Sequence, residues 1–207
     1  MANKRSFVDG AVRKEQICDA AKRLFAARGY HATSVRDIAA QLDLQGGSLY
    51  SHIDAKEDLL WALVDRAADS FISRAAAVAA RFPDPTERLQ ALVRAHVEYM
   101  ASDLDNAVVF HHEWRFLAPA RRLAIAHRRH EYEDYFRQAI HEGVSRDVFL
   151  PQDERFATLL VMSLVNWFYQ WYRPDGPLPA DAIAGRFNEL ILRALGAPAP
   201  IGKGKSI

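Results

Sequence analysis

The sequence predicts an all-α fold, an N-terminal three-helix helix-turn-helix domain joined to a larger helical domain. Three observations predict it. Apolar residues recur at helical spacing along most of the chain, no segment alternates apolar and polar as a half-buried strand would, and the breakers fall at helix-length intervals.

The elements follow in order. From Val12 to Arg28, Ile17, Ala20, Ala21, Leu24 and Phe25 form one face, and Gly29 is a C-terminal stop. A short helix spans about Ser34 to Leu42, with Val35, Ile38, Ala39 and Leu42 inward and Thr33 or Ser34 as cap. Asp43-Leu44-Gln45 makes a turn, and Gly46 to His52 a third helix. Asp54 caps a fourth, from Ala55 toward Ala80, broken by Pro83 and Pro85. Thr86 to Met100 then places Leu89, Leu92, Val93, His96, Val97 and Met100 on one stripe. A segment near Val108 to Leu117 ends at Pro119, and a helix from about Ala120 to Glu142 closes at Gly143. Asp153 to Tyr172 is helical and apolar on nearly every side. Arg173 to Pro177 is a turn, and Asp181 to Leu195 the last helix. Residues 11–71 are the first domain, 72–195 the second, and 196–207 a mobile tail rich in Gly, Pro and Lys.

Composition narrows the function. Of 207 residues, half are hydrophobic and 26% charged, which supplies a core and excludes general disorder. The lone Cys18 excludes a disulfide framework and a four-cysteine zinc site, and points to a reducing, cytoplasmic compartment. No 18-residue apolar run predicts a membrane helix, and residues 1–10 lack the apolar core of a secretory signal. The net charge of +1 favours no polyanion by itself. Charge is nevertheless uneven. Eight cations (Lys4, Arg5, Arg13, Lys14, Lys22, Arg23, Arg28, Arg36) face five anions (Asp9, Glu15, Asp19, Asp37, Asp43) in residues 1–52, whereas 54–69 are acidic.

In a helix-turn-helix, the second helix lies in the major groove. Here that is Gly46 to His52, supported by Val35 to Leu42. Ser34, beside Val35 at a helix start, can donate to a phosphate, and Arg36 can reach a base edge or phosphate. Gln45, Gly46 and Gly47 open the reading helix, where two glycines let the backbone approach DNA without side-chain readout. Ser48 and Tyr50 can donate to phosphates or bases, and His52 and Lys56 to phosphates. Leu49 and Ile53 face the core.

Gly29-Tyr30-His31-Ala32-Thr33-Ser34-Val35-Arg36-Asp37-Ile38-Ala39, then Ser48-Leu49-Tyr50-Ser51-His52-Ile53 and Lys56-Glu57-Asp58-Leu59-Leu60, resemble the signature of TetR-family repressors in residue type, order and spacing over about residues 11–71. Asp43 stands where that family usually has glycine, Gln45 where it has Ser or Thr, and Gly46 where a longer side chain reads a base. The resemblance implies a homodimer whose paired reading helices recognise a palindromic double-stranded operator.

In the second domain Phe156, Leu160, Leu164, Phe187, Leu190 and Ile191 suit the dimer interface of such an architecture. His112-Glu113-Trp114-Arg115 and Asn166 through Gly176 further resemble the subgroup regulating fatty-acid, steroid or aromatic-acid catabolism, whose understood members sense acyl-CoA thioesters. For such an effector Trp114, Asn166, Trp167 and Trp171 are candidate acyl-pocket residues, and Arg115, Arg122, Arg129 and Arg173 candidate partners of CoA phosphates. Core or interface packing and surface ion pairing are the alternative fates of the aromatics and arginines. The reading is thus a ligand-responsive repressor with no cofactor, no resident metal and no membrane partner.

Rival readings remain. A metal sensor would draw on His111, His112, Glu113, His127, His130 and Glu131, and a free hydrophobe is an alternative effector. Enzymatic chemistry lacks a Gly-x-Ser-x-Gly elbow, and Ala199 stands where a phosphate loop ending in Gly204-Lys205-Ser206 needs glycine. A helical adaptor without DNA binding is the reading of another class.

Overall fold

The computed structural model describes residues 2–44, 49 and 53–197. Every regular element among them is helical: α1 (Ala2–Arg28), α2 (Val35–Ala40), α3 (Lys56–Arg81), α4 (Pro85–Ser102), α5 (Leu104–Val108), a π turn (Val109–Glu113), a 3₁₀ turn (Trp114–Phe116), α6 (Pro119–Ser145), α7 (Glu154–Asn166), α8 (Phe168–Trp171) and α9 (Ala180–Ala194). No described helix is long and apolar enough to cross a membrane. The tail reading falls mostly on residues 198–207, outside the described residues.

The chain divides into two compact units. Unit 1 comprises Met1–Ser70 and Asp103–Arg128, and unit 2 comprises Phe71–Ser102 and Arg129–Ile207. By its contacts, segment 103–128 packs within unit 1. Long-range polar contacts explain this. Lys22 Nζ meets Asp103 at 2.7 Å, the Tyr30 N–H donates to Glu113 at 2.8 Å, and Arg121 pairs with Glu57 and Asp58 on α3.

In unit 1, Ile17, Ala20, Ala21, Leu24 and Phe25 on α1 are buried, as their spacing requires, with Ile38 and Ala39 of α2 and Leu59, Leu60, Leu63 and Val64 of α3. In unit 2, α9 packs chiefly on α4. Leu89, Leu92, Val93, Val97 and Met100 are buried on α4, as are Ile183, Ala184 and Ile191 on α9.

Of the boundaries that differ from the sequence reading, α1 begins ten residues earlier, at Ala2, and two others have a local cause. Gly143 does not end α6, which runs on to Ser145; the left-handed residue after it is Asp147, at φ 56°. The Gly143 carbonyl accepts the N–H groups of Val148 and Phe149, and the Phe149 ring lies where a Cβ at 143 would be, within 2.1 Å. Gly143→Ala is therefore expected to destabilise the fold by about 1–3 kcal/mol through overpacking, measured as a lower urea midpoint at constant slope. The segment 153–172 is also not one helix. It breaks at Trp167, which caps both α7 and α8.

Candidate nucleic-acid interface and effector core

The supporting helix is built by its own sequence. Ser34 is the N-cap of α2 and Asp37 stands at the third helical position. The Ser34 N–H donates to the Asp37 carboxylate at 2.7 Å, and the Asp37 N–H donates to Ser34 Oγ at 3.1 Å. This capping box satisfies two backbone donors. The Ser34 hydroxyl also donates to Asp37 at 2.6 Å, and these bonds hold the Asp37 carboxyl below its usual pKa. Ser34 is exposed at the helix start, but its hydroxyl proton is already engaged. Thr33, the other candidate cap, is buried and donates to the Leu24 and Gly29 carbonyls.

The preceding turn is pinned from two sides. Gly29 supplies the positive φ of 84° that the α1 exit needs. Lys56, at the start of α3, reaches back to the carbonyls of Tyr30 and Thr33, both at 2.7 Å, and lies 4.1 Å from the Tyr30 ring centroid. Burial lowers its pKa. Read from sequence as a phosphate contact, Lys56 here spends two of its three donors on the backbone of the turn. Glu113 accepts the Tyr30 N–H on the other side.

Beyond α2, Asp43 takes φ 53°, the left-handed geometry for which glycine is the easier residue. Leu49 and Ile53 are buried, and the Ile53 N–H donates to the Leu49 carbonyl. Val35 is half-buried and Arg36 exposed. Gln45, Gly46, Gly47, Ser48, Tyr50 and His52, the proposed reading-helix contacts, lie outside the described residues.

The eight effector candidates divide between the units: Trp114, Arg115 and Arg122 in unit 1, and Arg129, Asn166, Trp167, Trp171 and Arg173 in unit 2. Arg115, Arg122 and Arg173 are exposed, and Asn166 is half-buried. Trp167, 62% exposed, and Trp171 line an apolar groove of about 540 Å³ with Leu160, Leu164, Phe187, Leu190, Ile191 and Ala194. The two tryptophans thus stand among the residues read as dimer interface. Phe156, Leu160 and Leu190 are exposed on that face, while Phe187 and Ile191 are buried within the chain and only floor the groove. Arg121 and Arg128, on α6, pair with the acidic side of α3, Arg128 with Asp65 and Asp69.

Sequence reasoning overlooked a polar cluster inside unit 2. His96 sits on the apolar stripe of α4, 2% exposed, with Nδ1 at 2.9 Å from the Tyr132 hydroxyl. Burial and the nearby Arg129 charge push its pKa from 6.5 down to about 3. Burial also raises the Tyr132 pKa and lowers that of Arg129. The one sequence signal was a lone histidine among apolar positions. Because His96 stays neutral in the fold but protonates when unfolded, acid favours unfolding. Its contribution is expected to weaken stability as pH falls below about 6.5, by up to about 1.4 kcal/mol per pH unit toward pH 3. Urea titrations between pH 7 and pH 4 measure the slope. Among the described residues no group of three or more His, Cys, Asp or Glu side chains could hold a metal ion.

The comparisons with known proteins agree with this architecture. The family described as "Bacterial regulatory proteins, tetR family" matches residues 17–63, and "Tetracyclin repressor-like, C-terminal domain" matches 83–195. The chain is 28% identical over 182 residues to the HTH-type transcriptional repressor KstR2 of Mycobacterium tuberculosis, covering 87% of this chain and 91% of the relative. The solved structure of that ketosteroid transcriptional regulator superposes with a TM-score of 0.85, covering 90% and 96%. The fatty acid metabolism regulator protein of Bacillus subtilis is 32% identical over 182 residues, covering 87% and 94%. AibR, solved in complex with isovaleryl coenzyme A and operator DNA, superposes with a TM-score of 0.79 at 27% identity, covering 89% and 99%. Matched in both its helix-turn-helix and its C-terminal domain, the chain belongs to the tetR family of bacterial regulatory proteins, helix-turn-helix repressors of transcription.

Proposed function

We propose that the chain is a homodimeric repressor that holds a palindromic operator and is released by a small hydrophobic effector, an acyl-CoA thioester. The observation that carries the reading is the frame of unit 1: a boxed α2, a left-handed turn at Asp43, and buried Leu49 and Ile53, the two residues read from sequence as core-facing beside the reading helix. Ser34, Val35, Arg36, Gln45, Gly46, Gly47, Ser48, Tyr50 and His52 are the proposed DNA contacts. The exposed apolar face of α7 to α9 supports dimerisation, since a patch of that kind on a helical unit calls for a partner. The thioester is suggested by AibR, which was crystallised with one together with its operator.

The effector must bind the released conformation more tightly than the DNA-bound one, because equal affinity shifts no population. By linkage, operator DNA then weakens the effector by the same factor. The helix α3 runs from unit 1 into unit 2 and is the natural lever.

Fluorescence anisotropy with the palindrome nearest its own gene tests the reading. Release by a thioester, but not by CoA or the free acid, is expected. Tight binding that no thioester disturbs would leave a repressor with another effector. Tyr50→Ala is expected to weaken operator binding at least ~10-fold with unchanged melting, as a reading-helix contact requires.

A further inference from the structure

We infer that a groove between α4 and α9 in unit 2 binds a small zwitterionic amine, an apolar α-amino acid, whose ammonium group donates to Asn188 Oδ1. The groove measures about 930 Å³, within the range of small-molecule sites. It shares no lining residue with the apolar groove of α7 to α9, and none with the eight effector candidates. Asn188, on α9, lines it and is 6% exposed. The Asn188 Nδ2–H donates to the Gln90 carbonyl of α4 at 3.2 Å. A carbonyl only accepts, so this bond fixes which end of the amide is which. Oδ1 is left shielded from water and, among the described residues, accepts no hydrogen bond. Native interiors satisfy most such atoms, and an unmet one costs stability.

Gly185, one turn earlier on the same face of α9, lines the groove too and has no structural reason to be glycine. Glycine inside a helix is less favourable than alanine. Here no positive φ requires it, and a Cβ would meet nothing within 4 Å. What it keeps is room beside Asn188. The rim carries charge of both signs: Arg81, Arg94, Arg193, Glu87, Glu98 and Glu189, all exposed. Arg94 with Glu98 on α4, and Glu189 with Arg193 on α9, have the spacing at which helical charges pair. Among the described residues, however, none of the six forms an ion pair. Val78, Phe82 and Leu192 add apolar wall, and the Arg81 guanidinium lies 5.4 Å from the Phe82 ring centroid. An apolar α-amino acid answers each feature. Its ammonium supplies the donor that Oδ1 lacks and meets the rim carboxylates, its carboxylate meets the guanidinium groups, and its side chain covers the apolar wall.

Calorimetric titration and saturation-transfer NMR of the full-length protein test this with leucine, phenylalanine and tryptophan. At least one is expected to bind. The N-acetyl form of the tightest, which lacks the ammonium, and its decarboxylated amine, which lacks the carboxylate, are each expected to bind at least ~10-fold more weakly. Asn188→Leu removes the acceptor and leaves the Gln90 carbonyl within its own helix. It is expected to weaken binding about 10-fold, with melting unchanged or raised. Gly185→Leu fills the room beside Asn188 and is expected to abolish binding. Gly185→Ala is expected to raise melting and keep binding.

An N-acetyl form that binds as tightly as the free amino acid overturns the ammonium anchor. Binding that survives Asn188→Leu and Gly185→Leu undiminished lies elsewhere and overturns the site. No binding of any of the three amino acids at millimolar concentration, by either method, overturns the proposal outright. None of these readouts uses operator DNA, so each outcome is independent of which effector releases the operator.

Discussion

Leu160→Glu combined with Leu190→Glu is expected to make the protein monomeric and to lower its affinity for a full palindrome more than ~100-fold. Both side chains are exposed on the apolar face of unit 2, at 45% and 56%, beside Trp167 and Trp171, and both line the same groove. Neither fills the interior of its own chain, so the fold tolerates the charge. A dimer interface does not: four carboxylates from two copies would lose water in one patch, each without a counter-ion. The palindrome's affinity depends on joining two half-sites, because the second head binds at the high effective concentration that the first creates. A duplex with one half-site separates the steps. It is expected to bind the variant and wild type equally well. Sedimentation velocity reports the assembly, and a variant that remains dimeric would remove this face from the interface.

Lys56→Met is expected to lower stability by about 2 kcal/mol and operator affinity about 10-fold, while leaving the salt dependence of binding unchanged. The ammonium holds the carbonyls of Tyr30 and Thr33, and charged hydrogen bonds of this kind are individually among the stronger ones. Its loss frees the turn that presents α2. A phosphate contact behaves otherwise: its removal lowers the slope of log affinity against log salt by about one and leaves melting alone. The pair of measurements therefore decides between the role read from sequence and the clamp seen in the fold. Lys56→Arg is not expected to restore the wild type, since a planar guanidinium cannot replace a compact ammonium held between two carbonyls and a ring.

Local chemistry made much of this protein legible in its sequence. The α2 start is written in Ser34 and Asp37, because a capping box needs only residues three apart. Gly29 and Asp43 mark the two left-handed positions that bound the motif. Leu49 and Ile53, read as core-facing, are buried. Family and fold class are therefore legible in the residues alone, since each depends on neighbours along the chain.

What only the tertiary structure decided is where faces and charges find partners. Periodicity made 153–172 apolar on nearly every side, yet Phe168 is buried while Phe156, Leu160 and Trp167 are exposed. A helix apolar on nearly every side does not say which side its own chain covers, and the break at Trp167 changes the register between them. Segment 103–128 joined unit 1 through Asp103, Glu113 and Arg121, whose partners lie 63 to 83 residues away and cannot be found by local spacing. His96 was one polar letter in an apolar stripe, and only packing placed Tyr132 and Arg129 beside it. Short-range caps and turns are fixed by covalent proximity. Burial and ion pairing are fixed by which distant segments the folded chain brings into contact.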